Sequence, residues 1–183
     1  MANLIQKAKE QIDSLVMAAY ERAAQKGALP PGVQLGGTIE IPKDAALGDY
    51  ACSYAMAAAK SMRMPPRRIA DELAKELELE GSYFTNAEVA GAGFINFRLS
   101  DRWYAEVLSA VEAEGADYGR ADTAAGERVM VEFVSANPTG PMTIGNARGG
   151  VLGDTLAAIL DRAGHEVWRE FYVNDAGNQV ELF

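Results

Sequence analysis

A chain of 183 residues is long enough for one ordinary domain or two small ones, and its net charge of −9 argues against broad affinity for nucleic acid. With 49% apolar and 23% charged residues it has the profile of a soluble globular protein, and no window approaches the roughly 20 unbroken apolar residues of a membrane span. The single cysteine, Cys52, excludes an internal disulfide and reads as a small buried hydrophobe in a reducing cytoplasm. The amino terminus lacks the features of a secretion signal.

Apolar residues recur with helical spacing over 3–25: Leu4, Ile5, Ala8, Ile12, Leu15, Val16, Ala19, Tyr20 and Ala23 share one face, and Gly27 with Pro30-Pro31 ends the run. A short strand over 38–41 stops at Pro42. After Gly48-Asp49-Tyr50, an Ala/Met-rich stretch to Lys60 reads as a buried helix. Pro65-Pro66 opens another over 67–79, with Ile69, Ala70, Leu73 and Leu77 inward. The acid-free set Lys60, Arg63, Arg67 and Arg68 is the candidate for a local basic face. The period then changes to two. Segments 84–89 and 94–99 form a hairpin around Gly91-Ala92-Gly93, with Phe94, Asn96 and Arg98 on one face and Ile95, Phe97 and Leu99 on the other. Ser100 or Asp101 caps a helix that runs to Glu114.

The stretch 118–127 is small and polar. The expected division is a first domain over 1–120, a linker over 121–127 and a second domain over 128–183. The second domain begins with a buried parallel strand, 128–134. A proline-containing loop follows, then a helix over 144–163 with Ala147, Val151, Leu152, Thr155, Leu156, Ile159 and Leu160 inward, and then a strand over 166–173. One crossover cannot cover both faces of a doubly wound sheet, so this domain is expected to be incomplete at Phe183.

The informative stretch is Val131-Glu132-Phe133-Val134-Ser135-Ala136-Asn137-Pro138-Thr139-Gly140-Pro141-Met142-Thr143-Ile144-Gly145-Asn146-Ala147-Arg148-Gly149-Gly150. It runs from a strand into a helix start, where free backbone N–H groups and the positive dipole end favour anions. Glycines 145, 149 and 150 admit a ligand or a neighbouring strand close to the backbone. It is neither a dinucleotide glycine turn nor a Walker loop, which argues against a Rossmann-type oxidoreductase.

These residues resemble the first signature of class I aminoacyl-tRNA synthetases, a His-x-Gly-His sequence at the start of the first catalytic helix. The stretch 132–140, together with Tyr172-Val173-Asn174-Asp175-Ala176-Gly177-Asn178-Gln179, resembles the arginyl-tRNA synthetases in particular. Upstream, Gly48-Asp49-Tyr50-Ala51 and Gly93-Phe94-Ile95-Asn96-Phe97-Arg98-Leu99 are similar to the amino-terminal appended domain of that family. The resemblance implies an α+β appended domain followed by the beginning of a Rossmann-like catalytic domain.

It further implies activation of L-arginine by ATP with Mg2+, and transfer to tRNA(Arg) by a monomeric cytoplasmic enzyme. No tightly bound cofactor and no protein-held metal are expected. On this resemblance Glu132, Ser135 and Asn137 bind arginine, and Thr143, Gly145 and Asn146 bind ATP, with Gly145 against the adenine; Arg148, one turn into the helix, is placed either to serve the ATP phosphates or to make a surface charge pair. Phe94 and Asn96 contact the D-loop of tRNA, an aromatic to stack on a base beside an amide to read its edge.

The chain departs from the signature at two positions. Thr143 and Asn146 stand where the family has histidines that stabilise charge in the transition state, and losing one such donor costs roughly 10²–10³ in rate. Asn146 keeps an N–H donor, whereas Thr143 keeps only a short hydroxyl. The chain alone is expected to be inactive, since it holds no second signature loop. The alternative is a non-catalytic RNA-binding module derived from such an enzyme. The sole histidine, His165, reads as structural.

Overall fold

The computed structural model describes residues 4–124 and 126–182. Asn3, Ala125 and Phe183, and the side chain of Gln179, lie outside the described residues. The chain forms two compact units that divide between Ala113 and Glu114. Among the described residues no helix is long and apolar enough to cross a membrane.

The first unit packs helices on one face of a four-stranded antiparallel sheet. Helix α1 (Leu4–Gln25) buries Leu4, Ala8, Ile12, Val16, Ala19, Tyr20 and Ala23, the expected stripe, but Ile5 is exposed. Strand β1 (Ile39–Glu40) and a single 3₁₀ turn at Ala45–Leu47 precede β2 (Tyr50–Cys52). Helix α2 (Tyr54–Met62) and helix α3 (Pro66–Lys75) follow. Helix α3 stops short of the expected residue 79. The Arg22 guanidinium donates to the Glu76 carbonyl at 3.1 and 2.7 Å and so satisfies the helix end there. Strands β3 (Phe84–Ala90) and β4 (Phe94–Leu99) form the hairpin, and helix α4 (Asp101–Glu114) closes the unit. Ser100 does not cap α4 through its hydroxyl, which is buried without a hydrogen-bond partner.

The sheet order is β1-β2-β4-β3. Period-two alternation sends Tyr50, Cys52, Ile95 and Phe97 to the helix-covered face, where Phe97 meets Phe84 edge-on at 5.3 Å between ring centroids. The opposite face carries Ala51, Asn96, Phe94 and Arg98.

The two amino-terminal sequence words prove to be one device. Tyr50–Cys52 lies antiparallel to β4, a strand that periodicity could not show because it has three residues. The Asp49 amide donates to Phe97 O at 2.8 Å, and its carboxylate accepts the Leu99 N–H at 2.8 Å. Gly48 makes this approach possible. Its φ is +110°, and a Cβ there would stand 2.8 Å from Phe97 O.

In the second unit, β5 (Arg128–Glu132) and β6 (Glu166–Glu170) pair in parallel, with α5 (Ile144–Arg162) as the right-sized crossover and a short α6 (Asn178–Glu181) at the end. The stretch 115–121 and Thr123-Ala124 are tied to the end of α5. Arg162 donates to the carbonyls of Ala116 and Tyr118, Ala121 N–H donates to Arg162 O at 2.7 Å, and the Thr123 hydroxyl donates to Ala163 O.

Two expectations need correction here. Helix α5 rests on the sheet through Gly153 and Ala157, while Val151, Leu152, Leu156 and Ile159 are exposed. The strands are open on one face, where Met130 and Trp168 are exposed. In α5 the cause is that the contact is made through a glycine notch, which carries no hydropathy signal; the open face of the strands is the one that α5 does not cover. A Cβ on Gly153 would lie 2.3 Å from Phe133 Cγ.

Two consequences can be measured. Gly48→Ala is expected to destabilise the first unit by roughly 1–3 kcal/mol, read as a lower denaturation midpoint. Burial pushes the Cys52 thiol up to about 11, above its unfolded value. Between about pH 9 and 11 the unfolded chain therefore loses a proton that the native chain keeps, so stability falls as pH rises through that window. A thiol reagent at pH 8 is expected to label Cys52 only after denaturation.

Candidate functional site

The chemistry-bearing residues of the second unit gather beyond the carboxyl ends of β5 and β6. The register pairs Glu132 with Glu170, and the ladder continues as Phe133 N–H donates to Glu170 O at 3.2 Å. β6 ends at Glu170, three residues before the expected stop, because the next amides turn to side chains. Tyr172 N–H donates to Ser135 Oγ at 3.0 Å, and Asn174 Nδ2 donates to Asn137 Oδ1 at 2.7 Å. The two diagnostic stretches, 37 residues apart, are thus bonded side by side.

Glu132 lies on the exposed face of the sheet, opposite α5, in the alternation of Arg128, Met130 and Glu132. Its carboxylate makes no ion pair among the described residues. Val129 and Val131 face α5, and Arg169 on the same face pairs with Asp154 of α5 at 3.0 Å.

Helix α5 opens with Thr143 as its cap, in extended backbone (φ −86°, ψ 165°). Asn146 N–H donates to Thr143 Oγ1 at 3.3 Å, and Thr143 N–H donates to Asn146 Oδ1 at 2.9 Å, a reciprocal capping box. The Thr143 hydroxyl itself donates to Asn146 Oδ1 at 2.7 Å. The two residues expected to face phosphate therefore bond each other. This leaves Asn146 Nδ2 and the amides of Ile144 and Gly145 as donors without a partner among the described residues. Gly145 has only Thr143 Oγ1, at 3.4 Å, near the position of an added Cβ, and Gly149 has nothing within 4 Å. Arg148, one turn in, is exposed and unpaired among the described residues. The start of α5 is open above Gly145.

In the first unit, Phe94 and Asn96 line a cavity of about 350 Å³ on the helix-free face of the sheet, walled by Ile41, Pro42, Lys43 and Leu47. Asn96 is the only buried polar residue among those described, and its amide has no hydrogen-bond partner among them. Arg98 Nη2 donates to Ala46 O at 2.7 Å and holds the loop that forms one wall. Lys60, Arg63 and Arg68 are exposed and unpaired among the described residues, whereas Arg67 donates to Gly91 O and pairs with Asp71 at 3.4 Å.

Reasoning from sequence missed Gly153 and Val134. Gly153 carried a usable signal, since it lies three residues after Gly150 and so on the same side of α5. Val134 carried none. Among the described residues no group of three His, Cys, Asp or Glu side chains is placed to hold a metal ion.

The parallel strand–helix–strand unit, its polar loop pair and the open helix start all fall in a stretch that matches a class I synthetase catalytic domain. Residues 107–183 match the family described as tRNA synthetases class I (R), catalytic domain. Residues 4–99, just over half of the chain, match the Arginyl tRNA synthetase N terminal domain, and the chain belongs to the arginyl-tRNA synthetase family.

Its relatives include the arginine–tRNA ligase of Acetivibrio thermocellus, 47% identical over all of this chain and 32% of the relative. That of Caldanaerobacter subterraneus is 48% identical over all of this chain and 33% of the relative. The chain thus spans about a third of the length of these relatives. The arginyl-tRNA synthetase of Plasmodium falciparum, 17% identical, shares the fold with a TM-score of 0.51 over 92% of this chain and 31% of that one.

The capping box yields a direct test. Thr143→Val removes the hydroxyl and is expected to cost about 1 kcal/mol and to deprotect the Asn146 amide in hydrogen exchange, while Thr143→Ser keeps both.

Proposed function

We propose that the protein carrying this chain activates L-arginine with ATP, forming arginyl-adenylate and pyrophosphate, and transfers the arginyl group to tRNA(Arg). The carboxylate of arginine attacks the α-phosphate, pyrophosphate leaves, and the 3′ hydroxyl of the tRNA then displaces AMP. Mg2+ accompanies the ATP, and the enzyme works as a cytoplasmic monomer.

Glu132 takes the cationic part of arginine, since a charge-assisted bond suits a carboxylate without an ion-pair partner among the described residues. Ser135 and Asn137 hold the rest of the amino acid. Gly145 lies under the adenine, and Asn146 and Arg148 serve the phosphates beside Thr143. In this reading 1–120 is the tRNA-contacting part, 121–127 connects it, and 128–183 begins the catalytic part. Phe94 stacks on a base of the D-loop, and the amide of Asn96 reads that base's edge.

The observation that carries the proposal is the bonded pair of loops. Ser135 and Asn137 are fastened to Tyr172 and Asn174 at the strand ends where Glu132 stands without a counter-ion among the described residues. The rival reading, a non-catalytic RNA-binding module, draws on the mutual bond of Thr143 and Asn146, which keeps both side chains partly occupied.

Arginylation kinetics separate the readings. Glu132→Gln is expected to lower kcat/KM for arginine by roughly 10²–10³. Phe94→Ala is expected to raise the KM for tRNA about tenfold with the KM for arginine unchanged, as loss of one stacked base implies. The 183-residue chain alone is expected to form no arginyl-tRNA, and detectable product would refute that. A whole protein that forms no AMP in the presence of arginine, ATP and tRNA would favour the module.

A further inference from the structure

We infer that Val134 is a positioning residue: its left-handed backbone, which lets Phe133 and Val134 each seat in a glycine notch of α5, turns Ser135 and Asn137 onto β6 and so sets the amino-acid side of the site. This deepens the function proposed above and rests on it.

The backbone of Val134 has φ +61°. That region is strained for a β-branched residue, which keeps it only where the surroundings impose it. The surroundings here are specific. Along β5, alternation places Val129, Val131 and Phe133 toward α5, so a regular strand would aim Val134 away from it. Instead both Phe133 and Val134 face the helix. A Cβ on Gly153 would meet Phe133 Cγ at 2.3 Å, and a Cβ on Gly150 would meet Val134 Cγ2 at 3.0 Å. Glycines three apart on one helix face receive two consecutive side chains, which only a left-handed residue between strand and loop allows.

The turn is then completed in the backbone. Ala136 N–H donates to Val134 O at 2.7 Å, leaving Ser135 at the apex with its Oγ accepting from Tyr172 N–H. The same helix begins at Thr143, seven residues before Gly150 and so about 10 Å away along its axis. One rigid element therefore spaces the open helix start from the Ser135 loop.

Complementary substitutions test the lock. In the 183-residue chain, Gly150→Ala is expected to push Val134 out and speed hydrogen exchange of the Tyr172 amide by about tenfold, a local opening. Adding Val134→Ala removes Cγ2 and is expected to restore protection. In arginylation by the whole protein, the KM for arginine should rise about tenfold in Gly150→Ala, with the KM for ATP within about twofold, and should recover in the double variant. If Gly150→Ala does not fold, Val134→Gly is the second probe. It relieves the strain, so its denaturation midpoint should hold or rise while Tyr172 protection drops.

Unchanged protection in Gly150→Ala, no recovery in the double variant, or intact protection in Val134→Gly overturns the lock without touching the site assignment. Protection that follows the variants while the arginine KM ignores them overturns the positioning role. If Glu132→Gln also leaves that KM alone, the reading of the site itself has failed.

Discussion

The ladder between Arg128–Glu132 and Glu166–Glu170 decides where every chemical group of the second unit stands. Five residue pairs in parallel register bring together two loops that are far apart in sequence, and they do so at one end only. A slip of one residue would exchange the two faces of β6 and carry Arg169 off its Asp154 partner. It would also shift Tyr172 away from Ser135. The register is held by the buried side, Val129 and Val131 under α5, so the packing of a few apolar side chains fixes the geometry of polar loops that make little packing of their own.

Much of this was legible beforehand, and the failures share a cause. Periodicity located the long elements because a helix such as α1 repeats its apolar face over many turns. It could not see Tyr50–Cys52, which is shorter than any period, although the motif words around it pointed to a specific local geometry. In α5 it chose the wrong face. Valines and leucines outweigh glycines on any hydropathy scale, yet the sheet is met by Gly150, Gly153 and Ala157, because close approach is worth more there than bulk. The candidate site was readable as a set of residues. Their mutual bonds were not, since the Ser135–Tyr172 and Asn137–Asn174 pairs depend on a register that the sequence alone does not state.

The start of α5 shows how a substitution can change the service a position performs. Threonine and asparagine are among the best residues for closing a helix start on itself, and here they do so reciprocally. Such an end is stiffer and less reliant on a ligand to satisfy its amides. Its free donors among the described residues are two main-chain amides and one side-chain amide, and none of them titrates near neutrality.

The amide of Asn96 has a different significance. Asn96 is largely buried, yet its amide opens into the cavity and bonds to no described residue. An occupant of that cavity with a matching edge would bond the amide, whereas one without it would take the amide out of water and leave it unbonded. The difference between two such guests therefore exceeds the strength of the bond itself, so the cavity discriminates by what it refuses more than by what it holds.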